Sequence, residues 1–107
     1  MPRHTLRLIV IGGQAHRNPP CCPFAQIECF SSTRDGGNGD IRRAVARIRS
    51  GSVDGVVIRA DFIGHSAFKT IRKVCKRCGL MVRVASGGHA GALRALKGIV
   101  TQIRKGD

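Results

Sequence analysis

The sequence contains no tryptophan, no tyrosine and only four phenylalanines in 107 residues. This scarcity weakens any model in which rows of exposed aromatic side chains stack against nucleic-acid bases. The longest run of large apolar residues, Leu8–Ile11, is far too short to cross a bilayer. The first residues also lack the apolar core and cleavage site of a signal peptide, so we expect a cytoplasmic protein that does not insert into membranes.

Acidic residues are scarce as well, with 6 Asp and Glu against 19 Lys and Arg, which gives a formal net charge of +13. Such a charge makes a compact domain repel itself, and solubility alone requires a net charge of only about 2 to 8. The excess therefore indicates a polyanionic partner, for which nucleic acid is favoured over an acidic membrane surface. The charge is unevenly spread, since 15 of the basic residues lie between Arg42 and Lys105.

Hydrophobic periodicity predicts four strands and three helices in a single α/β domain that spans residues 1–107. Since helices and strands alternate in the second half, the strands should be parallel and joined by right-handed crossovers. We predict a three-layer sandwich around a four-stranded, mainly parallel sheet in the flavodoxin-like (Rossmann-like) order 2-1-3-4. The predicted strands are Leu6–Ile11, Ala25–Phe30, Val56–Ile58 and Leu80–Ala85, and the predicted helices run from about Asp40 to Ser50, Ser66 to Cys78 and Ala90 to Arg104.

The connection between the first two strands contains Pro19, Pro20 and Pro23, which leave little room for a crossover helix. The core of so short a chain is also small. Because an irregular connection of this kind could let a strand exchange between subunits, we expect a homodimer, in a strand-swapped form.

The first two predicted helices carry the densest positive charge, with four arginines in one and five basic residues and no acid in the other. Lysine and arginine bind phosphates with release of counterions, which favours nucleic acid as the partner. No helix-turn-helix, zinc-finger or RNA-recognition motif is visible, so we expect little sequence specificity. The candidate contact residues are Arg42, Arg43, Arg47, Lys69, Arg72, Lys73, Lys76 and Arg77, and Arg59 and Arg83 are expected to extend the surface at a sheet edge.

Glycines and polar residues follow three of the predicted strands, at the edge of a parallel sheet where ligands bind. Glycine lets backbone N–H groups approach a ligand, and the following helix N-termini favour an anion, so a phosphate group is the expected ligand of this rim. Neither G-x-x-x-x-G-K-[ST] nor G-x-G-x-x-G is present, which argues against an ordinary nucleotide-hydrolysing or dinucleotide site. The rim residues are Gly12, Gly13, Arg17, Asp61, His65, Ser66, Ser86, Gly87, Gly88 and His89.

Three of these rim residues, Asp61, His65 and Ser66, are also the residue types of a hydrolytic triad. They lie within a stretch too short for such a relay, and the chain has no G-x-S-x-G nucleophile elbow. We therefore expect no enzymatic activity.

The five cysteines are an odd number, which argues against a disulfide framework. Cys75 and Cys78 form a C-x-x-C pair, for which zinc would require further ligands such as Cys21-Cys22 and Cys29. Both also fall on the apolar stripe of the second predicted helix, where buried cysteine acts as a small hydrophobe. A zinc site and a structural role remain alternatives.

Haem is a second cofactor alternative, because Cys22-Pro23 lies in a proline-rich segment and a cysteine thiolate can ligate haem iron. His16 is the candidate for the other axial ligand. The competing interpretation is an exposed loop in which the Cys-Pro pair is incidental.

Several segments together resemble one bacterial family, the domain-of-unknown-function 2325 group. They are Ile11-Gly12-Gly13, the stretch from Val53 to Asp61, Gly64-His65-Ser66-Ala67-Phe68, and the end of a basic helix from Cys75 to Gly79. The resemblance covers most of the chain, and its most specific segment runs from Ala60 to Phe68. It implies a small Rossmann-like α/β domain and supplies no activity, so the functional predictions depend on the residues themselves.

Overall fold

The computed structural model describes residues 6–12, 25–30, 38–60, 63–86 and 88–106, with the backbone alone at 38–40, 88–89 and 104–106. Four strands and three helices follow one another in these ranges. They are β1 (Leu6–Ile11), β2 (Ala25–Phe30), α1 (Asn38–Arg49), β3 (Gly55–Arg59), α2 (His65–Arg77), β4 (Met81–Ala85) and α3 (Gly88–Gly106). Within them, no helix is both long and apolar enough to cross a membrane.

The four strands form one parallel sheet in the order β2-β1-β3-β4, which confirms the predicted fold class and strand order. The central strands β1 and β3 are almost continuously apolar because helices cover both of their faces. In register, Ile11 of β1 lies beside Ile58 of β3, and Arg59 lies beside Ala85 of β4. The strands β2 and β4 form the two edges of the sheet.

The helices divide between the two faces of the sheet and make three layers. On one face, α1 and α2 lie next to each other over the alternate strand residues Ile9, Ile11, Val56 and Ile58. On the other face, the apolar stripe of α3 packs against the strand residues that alternate with these four and project to the opposite side of the sheet. The buried residues of this second core are Leu6, Leu8, Val10, Val57, Ala85, Leu96, Ile99 and Val100.

At the amino end of the sheet, Asp54 fixes the start of β3 against β1. Its N–H donates a hydrogen bond to the Arg7 carbonyl at 2.8 Å, and its carboxylate accepts one from the Arg7 N–H at 2.8 Å. These two hydrogen bonds fix the register of β1 and β3 just ahead of Ile9 and Val56, their first pair of large apolar residues. Asp54, one of only six acidic residues in the chain, therefore has a structural role at the start of β3.

The end of α2 differs from the prediction, because the helix ends at Arg77 and Cys78 is the exposed C-cap residue. The turn is closed by Gly79 at φ 68°, a backbone conformation that favours glycine. The Gly79 N–H donates to the Lys76 carbonyl at 3.2 Å, and the Leu80 N–H donates to the Cys75 carbonyl at 2.9 Å. Because Cys78 is exposed, its expected place on the buried stripe is wrong.

Candidate nucleic-acid interface

The structure places both basic helices on the same face of the sheet, where α1 and α2 contact each other. All eight predicted contact residues in them have exposed side chains. They are Arg42, Arg43 and Arg47 on α1, and Lys69, Arg72, Lys73, Lys76 and Arg77 on α2. With Arg49, these helices contain nine basic residues and one acid, Asp40. We call the outer surface of the two helices the α1–α2 face.

One of the predicted contacts, Arg47, is held by a carboxylate. Its Nε and Nη2 atoms donate hydrogen bonds of 3.0 Å each to the two carboxylate oxygens of Glu28 on β2. This hydrogen bond, together with the charge of Glu28, raises the pKa of Arg47 above its ordinary value. The pair is partly exposed, and the carboxylate balances the charge of Arg47. We therefore expect Arg47 to contribute less to binding an anion than the basic residues of α2.

A second basic residue, Arg72, lies against an aromatic ring. Its guanidinium carbon is 5.6 Å from the centroid of the Phe68 ring, one helical turn earlier on α2. This distance permits a cation–π interaction. Phe68 is only half-buried against the core, so part of its side chain is accessible.

These two residues border a groove between α2 and β4, which we call the α2–β4 groove. Its volume is about 680 Å³. The cationic side comes from α2, and the apolar floor comes from Phe68, Leu80 and Val82. The full lining is His65, Phe68, Lys69, Arg72, Lys73, Lys76, Leu80 and Val82, and no acidic residue is among these described residues. Sequence periodicity had assigned Leu80 and Val82 to a strand without indicating that they face an open groove.

The groove lies at the sheet edge formed by β4. Val84 follows Val82 on the same face of the strand, since side chains alternate, and it is 50% exposed. In the part of the chain that the structure describes, no strand pairs with the outer edge of β4. The apolar side chain of Val84 is therefore exposed on the same face of β4 as the groove.

The two arginines in strands do not extend the basic surface as predicted. Arg59 is 6% exposed because β3 lies inside the sheet between β1 and β4. Arg83 lies on the opposite face, where its Nη2 donates a 3.0 Å hydrogen bond to the Gln102 side chain of α3. The basic residues of the α1–α2 face therefore come from helices alone.

The predicted phosphate rim is described only in part. Gly12, Ser86 and the starts of α2 and α3 all lie at the carboxyl end of the sheet. At Gly12, φ is 127° and an added Cβ would lie 2.9 Å from the Arg59 carbonyl oxygen, so backbone packing by itself requires glycine there. The α2 N-cap is Gly64 and has no side-chain hydrogen bond, so neither His65 nor Ser66 is the N-cap. The other predicted rim positions lie outside what the structure describes: Gly13, Arg17, Asp61, Gly87 and the side chain of His89. The triad hypothesis needs Asp61 and therefore also falls outside the described residues.

The three cysteines that the structure describes differ in burial. Burial, with a smaller effect from Cys78, raises the pKa of the buried Cys75 thiol to about 11, whereas Cys78 is exposed. Burial also raises the pKa of Cys29, against the opposing effect of the Arg59 charge. No group of three potential metal ligands occurs among the described residues. Cys21 lies outside them, as do the haem candidates Cys22 and His16.

Comparison with known proteins finds no matching family model, no matching curated protein and no matching solved structure. The resemblance to the domain-of-unknown-function 2325 group therefore stays a prediction. Function has to be argued from the surface just described.

Proposed function

We propose that the protein binds nucleic acid through the α1–α2 face, with little preference for sequence. The observation that carries the proposal is the packing of two basic helices side by side on one face of the sheet. Together α1 and α2 contain nine basic residues and one acid. A charge arrangement of this kind opposes folding and is understandable when a polyanion neutralises it.

Phosphate contacts by lysine and arginine give affinity through release of condensed counterions. Such contacts position a nucleic acid without reading its sequence. The exposed side chains on α2 include Lys69, Lys73 and Lys76, which recur every three or four residues and so form a row along one side of the helix. A row of cations can follow a phosphate backbone whatever its bases are.

The opposite face of the molecule supports the same interpretation by contrast. On α3, the exposed basic side chains that the structure describes are Arg94 and Lys97, and on β4 Arg83 is bonded to Gln102. By sequence, α1 and α2 contain nine basic residues and one acid, whereas α3 contains four basic residues and no acid, so the α1–α2 face carries the larger positive charge. A matched comparison of the two faces separates a binding surface from a general charge effect.

The test compares the double variant Lys73→Gln/Arg77→Gln with the double variant Arg94→Gln/Lys97→Gln, each of which removes one lysine and one arginine. Affinity for a labelled oligonucleotide is measured by fluorescence anisotropy over a series of salt concentrations. Loss of two phosphate contacts should flatten the slope of log affinity against log salt by up to about 2 units in the first variant. The second variant should keep a slope close to that of the parent.

Equal losses in both variants would show that the net charge acts without a defined face and would overturn the proposal. Absence of measurable binding by the parent at low salt would do the same. Circular dichroism of each variant checks that the helices are retained.

A further inference from the structure

The α2–β4 groove combines two chemical properties. Its floor is apolar, made by Phe68, Leu80 and Val82, and its rim is cationic, with Lys69, Lys73 and Lys76 among the lining residues. An anion alone would leave the apolar floor in contact with water. The occupant that satisfies both parts must therefore be anionic and must also offer an apolar surface.

A second copy of the chain does not meet this description. It would bring another net charge of +13 against the cationic rim. Like charges placed together across an interface are unfavourable, and the cost grows when water is excluded. Among the described residues, no acid lines the groove that could offset this repulsion.

Double-stranded nucleic acid meets only half of the description. Its phosphates suit the lysines, but the faces of its bases are stacked inside the duplex and cannot reach the groove floor. In a single strand, the unpaired base presents a flat apolar face next to its own phosphate, and proteins bind such bases on aromatic rings or arginine planes.

We propose that the α2–β4 groove binds single-stranded nucleic acid, with an unpaired base against Phe68 and Arg72 and the adjoining phosphates on the α2 lysines. This inference rests on the proposed function and names the form of nucleic acid that the site selects. Duplex is bound more weakly, by the charge of the α1–α2 face alone.

The dimensions and geometry of the groove agree with this ligand. A volume of about 680 Å³ lies within the usual range for small-molecule sites and exceeds that of one base. The Phe68 ring, with the Arg72 guanidinium carbon 5.6 Å from its centroid, supplies a flat surface for a base in a chain that has few aromatic residues. From Lys69 to Lys76 the helix rises by about 10 Å, so the lysines can contact phosphates of the nucleic-acid strand on both sides of the bound base.

The experiment measures binding of a fluorescein-labelled oligothymidylate, alone and as the duplex with oligoadenylate of equal length. Phe68→Leu keeps an apolar side chain in the core while removing the ring, and Val82→Thr keeps the shape of the floor while making it polar. Ile41→Val is the matched control, because Ile41 is partly buried against the same core on α1 and does not line the groove.

The parent should bind the single strand more tightly than the duplex. Phe68→Leu should lower single-strand affinity roughly fivefold or more, which is the lower end of the effect of losing one base-stacking contact. Duplex affinity should change little, and Ile41→Val should behave as the parent towards both probes. A loss of single-strand preference in Val82→Thr would support the same site independently of the aromatic ring.

Equal binding of both probes, with no selective effect of Phe68→Leu, would overturn the groove inference. The proposed function would survive that result if Lys73→Gln/Arg77→Gln still flattened the salt dependence. A dimer that Phe68→Leu dissociates, detected by sedimentation, would assign the groove to a second copy and overturn the inference. Displacement of the oligothymidylate by an acidic peptide rich in apolar residues, with no stacking loss in Phe68→Leu, would assign it to a protein partner and also overturn it.

Discussion

Neutralising Glu28 should strengthen binding of nucleic acid, which is an uncommon outcome for a substitution at a strand residue. In the folded protein its carboxylate accepts two hydrogen bonds of 3.0 Å from Arg47 and balances the charge of that guanidinium. Glu28→Gln keeps the size of the side chain and removes its negative charge. Arg47 stays protonated near neutral pH, because arginine titrates far above it, so the substitution makes a cation available on the α1–α2 face.

The size of the effect follows from one additional phosphate contact. Such a contact steepens the slope of log affinity against log salt by about 0.7 for a single strand and about 0.9 for a duplex. Between roughly 50 and 200 mM salt, this slope corresponds to about a threefold change in affinity. The ratio of Glu28→Gln affinity to parent affinity should therefore be about threefold larger at the lower salt concentration.

The assay is the anisotropy titration at several salt concentrations, with Arg47→Gln and Glu28→Gln/Arg47→Gln as controls. The double variant should lose the gain, because the released cation is then absent. Arg47→Gln alone should weaken binding less than Lys73→Gln, since its charge is already balanced in the parent. If Glu28→Gln binds no better than the parent at any salt concentration, or if the gain persists without Arg47, the reasoning is refuted.

Two further predictions concern the end of α2. Burial raises the pKa of Cys75 to about 11 in the folded protein, against an ordinary 9.0, so the stabilising contribution of its protonated thiol is complete below pH 9 and is lost as pH rises through 11. The difference in urea midpoint between the parent and Cys75→Ala should therefore narrow between pH 9 and pH 11. A difference that stays constant over this window would contradict the prediction. Gly79→Ala should lower the free energy of unfolding by about 1 to 2 kcal/mol in urea titrations, because an added Cβ meets no atom within 4 Å but the residue must keep φ at 68°. An unchanged urea midpoint would show that this turn does not depend on glycine.

Local sequence was sufficient for the sheet. The bounds of β1 and β2 agree with the prediction at both ends, and the parallel direction of the strands follows from the alternation of strands and helices in the second half of the chain. The order of the strands was predicted from the flavodoxin-like pattern and is confirmed. Apolar runs flanked by glycine and polar breakers identify strands well when both faces are covered. The basic residues of α1 and α2 were also located correctly as exposed, because the apolar stripe of each helix leaves only the other side to solvent.

The groove could not be predicted in this way, because it depends on where a helix flank meets an edge of the sheet. Phe68 fits the apolar stripe of α2 by spacing, yet it borders the stripe on the side of β4. The Arg47–Glu28 pair depends on α1 lying over β2, which spacing along one helix does not show. Arg59 was misplaced because alternation within a short central strand does not reveal which charged residue becomes buried.

The parallel topology has a consequence for how the molecule meets a charged partner. Helices α1 and α2 each connect parallel strands, so each begins at the carboxyl end of the sheet, and α3 begins there after β4. A helix N-terminus carries about half a positive charge from its backbone dipoles. Three of them at one end give the protein a permanent electric dipole along the strand direction, in addition to its side-chain charge. At the opposite end of the sheet, Arg47 and Arg49 in the last turn of α1 and Lys76 and Arg77 in the last turn of α2 offset the negative ends of two of these dipoles. Positive charge is therefore present at both ends of the α1–α2 face, and no end of the face would repel a polyanion laid along it.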